Sequence, residues 1–217
     1  MGPRSAELAA IAKPPLVSLP KLLLLLAAAW LIPYGPLVAW HCGPLLGLGG
    51  WSMRGSELFL LVPGAGGVAV FGLAPLSVPA RTREWALPAL LVSVVLVVGF
   101  LPAIAASDRL RMYGFDRAGE RGASLVAAIE RHVAETGFAP ANLASLVPRW
   151  LPELPVRLPP LEIVVPGRYG NPWMLRASVP SGMINFDEFV YLPHQDYPEH
   201  DRGGSFQRLG RWAYYHE

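Results

Sequence analysis

Hydrophobic and polar positions divide this chain into two unlike halves. A helix that crosses about 30 Å of hydrocarbon needs roughly 20 mostly apolar residues. Windows at about 22–40, 58–78 and 85–106 meet that length, so the pattern predicts three transmembrane helices in residues 1–106. Each window carries prolines (Pro33 and Pro36, Pro63 and Pro75, Pro88 and Pro102). Neighbouring helices in a bundle re-satisfy the carbonyls that proline leaves free, so kinks rather than breaks are expected. A cleaved signal peptide fits the first window poorly: the stretch before it is too long for an n-region, and the Leu22–Leu26 run is too short for an h-region.

The pattern changes after Ala106. Residues 107–119 are polar with two glycines and read as a linker. From Glu120 an amphipathic helix begins, because Leu125, Val126, Ile129 and Val133 share one face at a 3.6-residue period. Gly137 should stop it in a left-handed conformation. A short helix is expected from Asn142 to about Val147, ended by Pro148. Pro152, Pro155, Pro159 and Pro160 exclude helix beyond it. Strands are predicted at 173–179, 189–192 and 211–215, with 161–165 a further one, separated by turn-rich pieces such as 202–204. One long helix followed by antiparallel strands gives an α+β soluble domain over 120–217.

Composition sharpens this division. Apolar residues make up 53% of the 217 and charged ones 16%, well under the about 25% charge of a soluble domain, and the mean hydropathy is +0.36. Residues 1–106 hold six basic and three acidic side chains, residues 107–217 twelve basic and thirteen acidic. A net charge of +2 gives no reason to expect nucleic acid, and the single Cys42 excludes a disulfide scaffold. Orientation follows from lysine and arginine in short flanks. Arg4, Lys13 and Lys21 precede the first window and Arg81 and Arg83 join the second to the third, against Arg54 alone in the first loop. The N-terminus is therefore expected in the cytoplasm and the C-terminal domain across the membrane. The window centres hold no Asp, Glu, Lys or Arg, which argues for an anchor over a transporter. The small residues Gly64–Gly67 fit helix packing better than a ligand site.

Residues 127–155 read AAIERHVAETGFAPANLASLVPRWLPELP. The stretch resembles the region after the long helix in the pseudopilins of type II secretion. The matching positions are Gly137, Phe138 and Pro140, then Leu143, Leu146, Val147 and Pro148, then Trp150, Leu151, Leu154 and Pro155. Phe138 stands one residue nearer the glycine than the family's aromatic, and about 30 residues are covered. The resemblance implies a pilin-like head and a bacterial inner membrane, with the domain periplasmic. It does not extend to filament assembly, because the family's processing motif, single N-terminal helix and calcium-site ending have no counterpart here. Trp212 to Tyr215 would form a final strand covering the helix.

The most suggestive polar group is His194, Asp196, His200 and Asp201, preceded by Asp187 and Glu188. Histidine and carboxylate side chains bind zinc and similar ions, but the same residues are common in solvated loops. A Ser–His–Asp set can be assembled from Ser181 or Ser205 with His194 and Asp187, without a nucleophile-elbow sequence to support it. His132 reads as a boundary residue of its helix. The aromatic-rich tail offers packing and, where exposed, a protein-recognition patch. The sequence thus favours a non-enzymatic membrane protein without cofactors, whose partners are the lipid bilayer and another membrane or envelope protein. A metal-dependent envelope enzyme built on His194, Asp196, His200 and Asp201 is the alternative.

Overall fold

The computed structural model describes residues 18–52, 83–181, 185–199 and 204–216. The chain divides into two compact units, Met1–Pro36 with Leu60–Pro102, and Leu37–Phe59 with Ala103–Glu217. Helices α1 (Leu19–Leu46), α2 (Arg83–Val98), α3 (Phe100–Arg121) and α4 (Ala123–Thr136) are followed by a 3₁₀ turn (Leu143–Leu146). Strands β1 (Glu162–Val164), β2 (Met174–Ser178), β3 (Glu188–Tyr191), β4 (Ser205–Leu209) and β5 (Trp212–His216) complete the α+β fold.

Among the described residues two helical stretches are long and apolar enough to cross a membrane, Leu19–Leu46 and Leu91–Arg121. The former contains the expected first window, 22–40, and the latter overlaps the third, 85–106, from residue 91 on. The second, 58–78, and the Gly64–Gly67 cluster lie outside the described residues. In the first unit Leu24, Ile32 and Leu101 are 72%, 75% and 71% exposed. Inside that unit the Trp30 indole donates to the Gly99 carbonyl at 3.3 Å and the Tyr34 hydroxyl to the Leu96 carbonyl. α1 runs unbroken through Pro33 and Pro36.

The segment 107–119 corrects the sequence reading: it is helical, the larger part of α3, and not a linker. Its glycines suggested a break because glycine costs about 1 kcal/mol against alanine within a helix. Here they mark close approach instead. A Cβ on Gly114 would stand 2.7 Å from Pro44 Cβ, and one on Gly119 2.8 Å from Trp212 Cδ1. Arg111, Met112, Phe115, Ala118 and Gly119 form the buried stripe of α3. Near Gly114 the end of α1 runs alongside α3 in the same direction, since His41 is in electrostatic range of Asp108 and Arg111 while Pro44 and Leu45 meet Gly114. The last carbonyls of α1 are received by Arg121, at 3.1 Å from Pro44 O and 3.4 Å from Leu45 O, as a cation at a helix C-terminus should do.

Gly137 ends α4 as expected, with φ +79 and its N–H on Val133 O at 2.8 Å. Asn142 caps the 3₁₀ turn by accepting from Ser145 N at 2.9 Å. The five strands form one antiparallel sheet in the order β1-β2-β3-β5-β4. β4 is a strand that the sequence pattern hides: Ser205, Gln207 and Arg208 are polar, and the expected turn at 202–204 stands directly before it. Alternation along the strands places Leu175, Ala177, Phe189, Tyr191, Trp212 and Tyr214 on the helix side and Met174, Val190, Ala213 and Tyr215 on the other. The helix side is an aromatic core. Phe189 and Trp212 stack with centroids 4.7 Å apart, Phe115 lies 5.1 Å from Phe189 and 5.2 Å from Tyr214, and Trp51 lies 5.5 Å from Phe115. Leu125, Val126 and Ile129 of α4 pack into the same cluster.

Candidate functional site

Three polar assemblies and one groove are built into the second unit. The first lies at the end of the sheet where β2 stops and β3 starts. Asp187 is fully buried and accepts the Tyr214 hydroxyl at 2.6 Å and the Ser181 N–H at 2.8 Å on Oδ2. Its Oδ1 lies 2.9 Å from His216 Nδ1, and the same ring nitrogen is 3.3 Å from Ser181 Oγ. A Ser–His–Asp relay needs the two nitrogens of the imidazole to face different partners. One nitrogen serving both leaves a structural clasp that holds the end of β5. The serine and aspartate were in the sequence-built set, but the histidine that joins them is His216 and not His194. Burial pushes the Tyr214 phenol well up; the nearby Arg111 charge opposes this, and the Asp187 carboxylate reinforces it.

Arg111 completes this end of the unit. It is 2% exposed, donates to Trp51 O at 3.2 Å and to Val179 O, and lies 5.3 Å and 5.4 Å from the ring centres of Phe115 and Tyr214. Aromatic faces and carbonyl oxygens compensate a buried guanidinium in the way water otherwise would. Reading 107–119 as linker concealed Arg111. Its spacing of four from both Ser107 and Phe115 is the signal that would have placed it on a buried helix stripe.

The second assembly is on the opposite face, one residue away. Glu188 is gripped by Arg168 through two contacts of 2.5 and 3.1 Å and by Arg176 at 3.3 Å. Arg176 in turn binds Glu162 across the β1–β2 pair, at 2.7 Å through Nε. These charges fix the register of three strands and are consumed in doing so.

The third assembly concerns the metal alternative. Buried Asn171 donates to Asp196 Oδ1 at 2.9 Å and accepts the His194 backbone N–H at 2.9 Å. Asp196 therefore latches its loop to the 168–171 turn, and His194 takes part through its backbone. His200 and Asp201 lie outside the described residues, and among the described residues no group of three or more His, Cys, Asp or Glu side chains is placed to hold a metal ion. His132 is likewise structural: its Nδ1 is 3.0 Å from Phe138 O and its ring packs edge-on against Trp150.

The groove runs between α3 and the β4–β5 hairpin. It is open, encloses about 560 Å³, and shares Asp116, Leu209 and Gly210 with a smaller adjoining cavity of about 180 Å³ that reaches Trp212 and Tyr191. Arg211 closes the far side of that cavity by donating to Glu130 at 3.1 Å and to the Tyr191 hydroxyl at 2.5 Å. No protein-family model, curated protein or solved structure matches this chain.

Proposed function

We propose that this chain is a non-enzymatic integral protein of the bacterial inner membrane that holds an α+β, pilin-like head on the periplasmic side for contact with another membrane or envelope protein. The observation that carries the reading is the contrast in how polar groups are used. The polar clusters of the head are engaged in internal clasps, and among the described residues no group of three or more His, Cys, Asp or Glu is placed to hold a metal ion. The apolar helices of the first unit, by contrast, display large side chains outward, as lipid-facing segments do.

Direction supports the expected topology. The end of α1 and the start of α3 run the same way within the head. Two spans that enter a domain in parallel require a return crossing between them, the role the sequence offers at 58–78. With the basic flanks inside, the head then lies outside. The helix-on-antiparallel-sheet arrangement supports the pilin-like description.

Alkaline extraction and protease treatment test this directly. The chain is expected to stay in the membrane pellet at high pH. Its head should be cut in intact spheroplasts, with the N-terminal tail cut only after lysis. Release by alkali, or a head protected until lysis, would overturn the reading.

A further inference from the structure

The order β1-β2-β3-β5-β4 leaves two strands with an open edge, and they are treated differently. β1 has three residues and sits between Pro159, Pro160 and Pro166, which cannot donate to a ladder; its Glu162 is bound by Arg176. That is a blunted edge of the kind that resists pairing. β4 has five residues and no proline. Its one charge is turned away: Arg208 donates to Gly210 O at 2.9 Å and Gln195 Oε1 at 2.6 Å, and its guanidinium lies 4.1 Å from the Tyr197 ring centre. Among the described residues, no hydrogen bond from outside the β4–β5 ladder reaches the backbone of Ser205–Leu209.

Beside this open edge lies the groove of about 560 Å³, with Gln207, Arg208 and Leu209 on one wall and Asp108, Arg109, Met112, Tyr113 and Asp116 of α3 on the other. A strand edge facing a helix across a groove is the geometry in which proteins accept an extended peptide as an added strand. The groove's formal charges balance, but Arg208 is engaged by Gln195 and Gly210, so the carboxylate left without a partner selects the peptide. Asp116 is half-buried and has no hydrogen-bond or ion-pair partner among the described residues, and exposed Asp108 adds a second carboxylate against Arg109 at the rim.

We propose that the outer edge of β4 receives an extended segment of a partner protein as a further strand, and that a basic side chain of this segment seats on Asp116. The backbone of the segment pairs with Ser205–Leu209. Its alternate side chains point either to Met112, Tyr113 and Asp116 or to the opposite face of the sheet. The proposal rests on the head being a protein-binding module. Its assay does not depend on which side of the membrane the head occupies, so its failure leaves the topology result standing.

The test uses the full chain in detergent and three labelled peptides: alternating valine–lysine, alternating valine–glutamate, and the lysine peptide with alternate backbone nitrogens methylated. By fluorescence anisotropy the lysine peptide should bind at least about tenfold tighter than the glutamate peptide, and methylation should abolish binding. Asp116→Asn should reduce the preference for lysine while leaving the melting temperature in place. Phe206→Pro and Gln207→Pro form a pair in which one loses an outward N–H and the other an inward one, because neighbouring strand amides point to opposite sides. The variant that retains its melting curve should lose the peptide. Three results would overturn the proposal: no binding of the lysine peptide, binding indifferent to methylation or to Asp116, or a chain that is dimeric and turns monomeric in the folded proline variant. The last would give the edge to a second copy.

Discussion

Leu24, Ile32 and Leu101 in the first unit and Leu125, Ile129 and Leu175 in the second are similar side chains in opposite settings. The former are more than two-thirds exposed and the latter at most 1%. The comparison teaches that hydrophobicity alone does not build a core. In the second unit a sheet and two helices close around aromatic rings, so burial is geometric. In the first unit the same residue types stand outward, on helices long and apolar enough to cross a membrane.

The sharpest way to break the comparison is to truncate a residue on each side. Trp212→Ala removes a ring stacked on Phe189 and seated against Gly119 and Gly122. It should cost about 3–5 kcal/mol of stability, whereas Leu24→Ala should stay within about 0.5 kcal/mol. Chemical denaturation of the detergent-solubilised chain, followed by circular dichroism, reads both. Equal losses would erase the distinction between the units. A smaller effect comes from the helix that feeds the core. Gly119→Ala should destabilise by about 1–3 kcal/mol because the new methyl meets the Trp212 indole, reversing the gain of about 1 kcal/mol that an open helix position would give. A stabilised variant would mean that the indole moves aside freely.

The mildest test concerns pH. Burial holds the Tyr214 phenol well above its usual 10.0 and pushes Tyr197 up to about 12, with the hydrogen bond from the Leu192 amide and the Arg208 and Arg211 charges opposing the latter. A group whose folded pKa is raised contributes stability that is complete below its unfolded value and is lost as pH rises through its folded one. The head should therefore hold its denaturation midpoint up to about pH 10 and weaken between about 10 and 12. Tyr214→Phe should flatten part of that decline. An unchanged alkaline slope would mean that Tyr214 does not couple to folding.

Much of the fold was legible because single residues carried their own reasons. Gly137 had to end a helix, Leu125, Val126 and Ile129 had to share a face, and the apolar strands had to pair. Two elements were concealed by interactions that local pattern does not encode. α3 looked like a linker because its glycines are explained only by Pro44 and Trp212, distant in sequence. β4 looked like loop because an edge strand with one solvated face needs few apolar residues. The candidate site followed the same rule. Asp187 and Glu188 stood out in sequence, but their partners, His216 and Arg168 with Arg176, are set by sheet register, and the groove depends on the strand that was missed.

The position of β5 in the interior of the sheet constrains when the head can form. β3 and β4 meet only through Trp212–His216, and two of the rings packed over α3, Trp212 and Tyr214, belong to the same five residues. A ribosome has therefore delivered every earlier strand before the one that joins them exists. The head must wait for β5 with part of its aromatic core uncovered, so its formation ends in a late closure and is not a stepwise assembly from the amino end.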